Sequence, residues 1–224
     1  MPKQLRFDLP SVPALGREDF FVSAANATAV ALIETWETWP ARKLVLAGPN
    51  GSGKSHLAHV WAELSGAKIT QACELTESNV PDMAGSNIAI EDVEQICGNP
   101  ALERALFHLH NFSHANRHSI LFTSQNAPNF WKLGLPDLAS RMQATPTCLL
   151  NEPDDDLLAA ILMKLFSDRQ LLPTPETVPF MTKRMPRSFD AAIRAVSALD
   201  DMSMASGRPI NRALAARVLD NLPI

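Results

Sequence analysis

The chain has 224 residues, 46% of them apolar and 20% charged, which excludes disordered, collagen-like and heptad-fibre proteins. The length fits one generous domain, or a domain with an appendage. A net charge of −4 excludes a global basic field for nucleic acid, and three scattered cysteines (Cys73, Cys97, Cys148) without a CxxC pair exclude a disulfide framework or zinc knuckle.

Residues 1–13 hold three prolines among alternating charges and predict a tail. Charges and prolines also stand where a secretory signal needs an apolar core. An α/β domain is expected over 14–150. KLVLAG (43–48) is an apolar run closed by glycine, which predicts a buried strand. After a glycine-rich turn, Leu57, Trp61 and Leu64 recur at helical spacing, with Gly66 as the C-terminal cap. NIAIED (87–92) and SILFTS (119–124) predict two more strands. Between them Asn99 is an N-cap and Pro100 a first helical residue, with Leu102, Leu106, Leu109 and Phe112 as the buried stripe.

Strands alternating with helices predict a parallel sheet covered on both faces, an α/β fold. After TCLL (147–150) the strand pattern stops. Three helical patterns follow, carried by Leu157/Ile161/Leu165, Ile193/Val196/Leu199 and Leu214/Val218, so a small all-helical lid is expected over 151–224. The longest apolar run, Leu157 to Phe166, contains Lys164 and is too short for a bilayer. A cytoplasmic protein is expected, with no membrane partner.

Gly48-Pro49-Asn50-Gly51-Ser52-Gly53-Lys54-Ser55 matches G-x-x-x-x-G-K-[ST] in full. Glycines let successive backbone N–H groups face phosphate oxygens, and the helix that follows adds its positive dipole end. Lys54 would reach the outer phosphates and Ser55 would hold magnesium, which implies ADP or ATP with Mg²⁺ as cofactors. Such a site needs an acidic strand end to hold the metal and orient water. Glu91 and Asp92 supply it, in the reverse of the common Asp-Glu order, which predicts slow intrinsic hydrolysis. The same pair also reads as a strand running into a solvated acidic turn. Ser124 ends the next strand among polar neighbours, at the edge where open parallel sheets place ligand contacts. His110 and His114, four apart, read as a solvated helix face. Asp154, Asp155 and Asp156 open a helix after Pro153.

GPNGSGKSHLAH, IAIEDVEQICG and especially LGLPDLASRM (133–142) resemble the AAA+ ATPase core of the DnaA-related replication proteins, and within them the short regulatory Hda branch. The resemblance runs from about Phe20 to Val218. It implies a three-layer αβα P-loop core followed by a helical lid. Arg141 falls at the arginine that reaches a neighbouring subunit's nucleotide, a group worth roughly 10³ to 10⁵ in rate. Without that resemblance it reads as a surface arginine paired with Asp137. Ser124 falls at the sensor I position and Arg187 at the sensor II position. Phe21 and Val22 fall in the segment that packs on adenine, and His56 in the helix that follows the cradle, where with His59 it matches a packing pattern. Gln4, Leu5, Phe7 and Leu9 resemble the glutamine-led peptides that bind the sliding clamp; as an extended segment they present alternate side chains to one groove.

The partners implied are DnaA, the sliding clamp, DNA only through the clamp, and further copies of the chain. DnaA continues into a helix-turn-helix domain, whereas this sequence ends at Ile224 without a recognition-helix signature, so direct origin recognition is not expected. Three functions stay open at this stage. One is a regulator that stimulates ATP hydrolysis by DnaA. The second is a self-contained P-loop ATPase or kinase. The third is a DNA-binding or helicase-loading module using the basic lid, which has eight Lys/Arg against five Asp/Glu over 169–224.

Overall fold

Every residue of the first strand, β1 (Lys43–Ala47), is buried, which requires partners at both edges and cover on both faces. The computed structural model, which describes residues 21–221, supplies both. The expected clamp-binding residues Gln4, Leu5, Phe7 and Leu9 lie outside the described residues. β1 pairs in parallel with β4 (Ile120–Ser124) on one side and β5 (Thr147–Leu149) on the other. β3 (Ile88–Glu91) pairs with β4, and β2 (Lys68–Gln71) with β3, giving the order β2-β3-β4-β1-β5.

Helices make the crossovers that parallel strands require. α1 (Ala27–Glu34) precedes the sheet, α2 (Lys54–Ser65) follows β1, and α3 (Val80–Met83) follows β2. α4 (Pro100–Ala115) connects β3 to β4, and α5 (Pro136–Gln143) connects β4 to β5. On one face Val45, Ile90 and Phe122 pack with Leu106, Leu109 and Met142. On the other, Leu44, Leu46 and Leu121 pack with Leu57 and Trp61. Trp39 stacks on Trp61 with centroids 5.2 Å apart. The result is the expected three-layer α/β core.

The local signals explain the helix ends. Gly66 is left-handed (φ 67°) and stops α2. The Asn99 side chain accepts hydrogen bonds from the Ala101 and Leu102 N–H groups at 3.1 and 3.3 Å, starting α4. The buried stripe of α4 differs from expectation, because Phe112 is 48% exposed while Glu103, His110 and Ser113 are buried. Polar side chains with internal roles have displaced the apolar residue from the inner face. β2 was not expected either. Its sequence, KITQ, has one apolar residue, and its positions are exposed or half-buried, so the edge strand carries no apolar signature.

Four further helices follow: α6 (Asp155–Asp168), α7 (Thr177–Arg184), α8 (Phe189–Ser206) and α9 (Arg212–Leu219). Their cluster draws on Leu158, Phe166, Met181, Val196, Leu199 and Leu214. Three patterns were expected and four helices are present; α7 has Pro179 in its first turn, where a missing N–H costs nothing. Among the described residues no helix is long and apolar enough to cross a membrane.

Candidate functional site

The cradle begins where β1 ends. The Gly48 N–H donates to the Ser124 carbonyl at 3.2 Å, and a Cβ on Gly48 would sit 2.5 Å from the Leu150 carbonyl oxygen, so glycine alone fits there. Gly51 and Gly53 adopt left-handed φ values of 72° and 95°. Lys54 is buried, and its Nζ donates to the carbonyls of Gly48 and Pro49 at 2.7 and 2.8 Å. Burial lowers its pKa, opposed by the carboxylates of Asp92, Glu94, Asp190 and Glu91. Phosphate oxygens are stronger partners for an ammonium than neutral carbonyls, so the lysine is poised to exchange one for the other.

A cavity of about 430 Å³ opens from this loop. Its polar end is formed by Asn50, Gly51, Gly53, Lys54, Ser55 and Asp92. Its other end is apolar, with Leu157, Ile161 and Leu165 from α6, Ile193 from α8, and Phe21. Phe21 is held by Asn26, whose side chain accepts from the Ser23 N–H and donates to the Phe21 carbonyl. A phosphate-binding end joined to an apolar slot suits a nucleotide.

The helical part closes onto the P-loop directly. The Phe189 N–H donates to the Gly51 carbonyl at 2.9 Å. A Cβ on Gly51 would collide with Ser188 Oγ, and one on Gly53 would lie 3.1 Å from the Phe189 ring, which also stacks on His56. These glycines therefore make room for the lid as well as for phosphate.

Of the residues singled out from sequence, Phe21, Asn50, Gly51, Gly53, Lys54, Ser55, His56 and Asp92 share the cavity. Gly48 and Ser52 support the loop from behind, the latter with a buried Oγ that has no partner. Val22 is 51% exposed and off the cavity wall. Ser124 is fully buried and its hydroxyl donates to the Asn126 carbonyl at 2.7 Å. Arg187 turns to the start of α6, pairing with Asp155 at 2.7 Å and donating to the Pro153 carbonyl at 3.4 Å.

The acidic pair divides. Asp92 takes a left-handed backbone (φ 55°) that turns it into the cavity, and its N–H donates to Thr123 Oγ1 at 3.1 Å. Glu91 accepts from Gln71 Nε2 at 3.1 Å through one oxygen; its other oxygen is buried without a partner. Ser55 and Asp92 line the cavity and are hard oxygen donors that fit magnesium, whereas Glu91, expected beside them, is off the cavity wall. Among the described residues no three His, Cys, Asp or Glu side chains gather into a metal cluster, so phosphate oxygens would supply further ligands. Glu94 was not foreseen; it ties the strand ends together, accepting from the Gln125 N–H at 2.9 Å and Asn126 Nδ2 at 3.0 Å.

Arg141 stands elsewhere. Its guanidinium lies over the Phe107 ring, 5.0 Å from the centroid. Its helix, α5, is pinned by Glu103, which is 2% exposed and accepts from the N–H groups of Gly98, Gly134 and Leu135 at 2.8, 3.0 and 2.8 Å. Arg141 lines a second cavity with Lys43, the first residue of β1. The P-loop follows the last residue of that strand, about 13 Å further along. Arg141 and Lys54 thus mark opposite ends of the sheet.

No family model matches the chain. An uncharacterized protein of Haemophilus influenzae is 24% identical over 187 residues, covering 77% of this chain and 79% of that protein. Domain III of the Thermotoga maritima replication initiation protein DnaA superposes with a TM-score of 0.81 at 19% identity, covering 93% of this chain and 97% of that one. AMPPCP-bound DnaA from Aquifex aeolicus gives 0.69 at 16% identity, covering 87% and 66%. The T. maritima RuvB Holliday junction branch migration motor gives 0.72 at 18% identity, covering 94% and 72%. Parallel sheet order, P-loop position and appended helices together give the fold that is also built by domain III of DnaA and by RuvB.

Proposed function

We propose that the chain is a regulator of replication initiation of the Hda type. It binds adenine nucleotide between the P-loop and the helical part, and offers Arg141 to the ATP of a neighbouring DnaA subunit. The guanidinium neutralises charge on the transferring phosphoryl group, so hydrolysis takes place in the partner's site. Residues 4–9 dock the protein on the DNA-loaded clamp in this reading, and DNA is reached only through the clamp. The observation that carries it is the separation of Arg141 from the chain's own cradle: an exposed arginine on a pinned helix, at the far end of the sheet from Lys54, has no nucleotide of its own to serve. The adenine preference draws support from the apolar end of the cavity and from AMPPCP-bound DnaA.

Within its own site, Lys54 and the loop N–H groups bind phosphates, Phe21 and the α6 side chains shelter the base, and Asp92 is placed to orient water. Magnesium, when bound by Ser55 and Asp92, supplies charge neutralisation between phosphates. The test is hydrolysis of DnaA-bound ATP with and without this protein, clamp and DNA. Arg141→Ala should lower the stimulated rate by about 10³ and leave nucleotide affinity unchanged; equal stimulation by the variant would refute the trans role. A self-contained ATPase is the second reading, favoured by Asp92 lining the same cavity as Lys54. Turnover by the isolated chain as fast as that of the assembled system would select it.

A further inference from the structure

The amino edge of the sheet holds two cavities that the nucleotide reading leaves unused. One, of about 240 Å³, is lined by Lys43, His110, His114 and Arg141 together with Pro40 and Thr145. The other, of about 300 Å³, shares Ala41 and His114 with it and adds Arg42, Arg117 and His118. Among the described residues no carboxylate lines either one, in a chain whose net charge is −4. Lys43 is 2% exposed and, among the described residues, its Nζ donates to the Ala41 carbonyl at 3.3 Å, a weak contact for a buried ammonium. His110 is 7% exposed and its Nδ1 is buried without a partner. Buried cations are ordinarily matched by carboxylates, and buried polar atoms by hydrogen bonds. Among the described residues no carboxylate lines the Lys43 cavity and no partner meets His110 Nδ1.

The backbone points the same way. Five non-glycine residues of the described chain have positive φ, and three of them, Ala41, Arg42 and Arg117, border these two cavities. A fourth, Asp92, borders the nucleotide cavity. Each left-handed non-glycine residue carries roughly 1 kcal/mol or more of strain, and such residues gather at ligand sites.

We infer that Lys43, His110 and Arg141 form an oxyanion pocket that takes one phosphate group. Arg141 offers a planar fork at the exposed mouth, Lys43 a point charge at the base, and His110 a donor once protonated. The groups facing His110 are Lys43 from β1, Arg141 from α5, and Asn111 and His114 from its own helix; burial first, and then the two cations, hold its pKa down at about 4. An incoming phosphate opposes that field and raises the His110 pKa, so binding takes up a proton on the acid side of neutrality, between the free and bound pKa values of the imidazole. The phosphate can come from a small molecule in solution, or from the end of a nucleotide held by a neighbouring subunit. The second source rests on the proposed role of Arg141; the pocket itself does not.

The test follows the His110 ring by NMR while inorganic phosphate is titrated into the whole chain. A saturable shift, with the His110 pKa raised by about one unit or more, kept in Lys54→Ala and lost in both Lys43→Met and Arg141→Gln, supports the pocket. Lys43→Met keeps the length of the buried side chain, and Arg141→Gln alters an exposed group, so one of the two folds even if the other does not. A response that never saturates, or that disappears in Lys54→Ala alone, overturns it. Lys43→Met in the DnaA hydrolysis assay then separates the sources. A tenfold or greater loss of stimulation assigns the phosphate to the partner's nucleotide, whereas full stimulation by a variant blind to phosphate assigns it to a free compound. Failure of Arg141→Ala to affect hydrolysis would sink the trans role while leaving the phosphate titration as it stands.

Discussion

At the carboxyl edge of the sheet, Lys54 is buried among partners: two loop carbonyls within 2.8 Å, and carboxylates at Asp92, Glu94, Asp190 and Glu91 that oppose the cost of its burial. At the amino edge, Lys43 is buried more deeply, touches one carbonyl at 3.3 Å, and faces Arg141, which adds to the cost. The pKa of each ammonium is lowered by burial, but only the first has nearby charge working to raise it. The contrast separates a charge-balanced cation from an unbalanced one, whose surroundings call for an anion from outside.

Glu103→Leu should have the largest effect, reaching the amino edge through α5, the helix that carries Arg141. The buried carboxylate accepts three backbone N–H groups that fix the turn leading into α5, and leaving those donors unpaired should cost about 4 kcal/mol of stability. Urea unfolding measures it. A loss below about 1 kcal/mol would mean that α5, and Arg141 with it, is held by other contacts. The fraction that remains folded should still bind nucleotide, because none of those bonds touches the P-loop.

Lys54→Ala attacks the carboxyl edge directly. Nucleotide affinity should fall about 100-fold, close to 3 kcal/mol, as read by calorimetry. Stability should change far less, since the side chain's hydrogen-bond partners in the loop are neutral carbonyls. A variant that binds as tightly as the original would remove the cradle from the account and leave the apolar slot to explain any affinity.

The same contrast governs what was legible in the sequence. The P-loop is a contiguous octapeptide whose chemistry is local, so its residues and the strand and helix flanking it could be named directly. The apolar wall could not. Leu157, Ile161 and Leu165 form an ordinary helical stripe, and only the docking of α8 on Gly51 makes them the far side of a cavity. Phe189, which packs on both Gly53 and His56, carries no signal beyond being an aromatic at a helix start. The amino-edge pocket was less visible still, because Lys43, His110 and Arg141 come from three elements far apart in the chain. His110 and His114 read as a solvated pair four residues apart. In the structure α4 is rotated so that Phe112 faces water and His110 faces in, an exchange that pattern reading of apolar residues misses. Glu103 belongs to the same inversion: a charged residue on a buried face, explained only by backbone donors from distant turns.

His110 gives the last and smallest effect, and its sign distinguishes the two edges. Its folded-state pKa is about 4, against 6.5 for a free imidazole, through burial and then the charges of Lys43 and Arg141. The folded chain therefore binds fewer protons than the unfolded chain between those values, so this residue's contribution is fully present above pH 6.5 and is lost as pH falls toward 4. Stability should drop by about 2 kcal/mol from this group between pH 7 and pH 4.5, and His110→Gln should remove that share of the slope. Phosphate should remove it too, by letting the imidazole charge in the folded state. An edge balanced like that of Lys54 would show neither effect. Denaturation curves at the two pH values, with and without phosphate, thus read the imbalance directly: a slope that survives His110→Gln unchanged would place the acid sensitivity elsewhere, and a slope indifferent to phosphate would leave the amino-edge cations without the ligand their surroundings ask for.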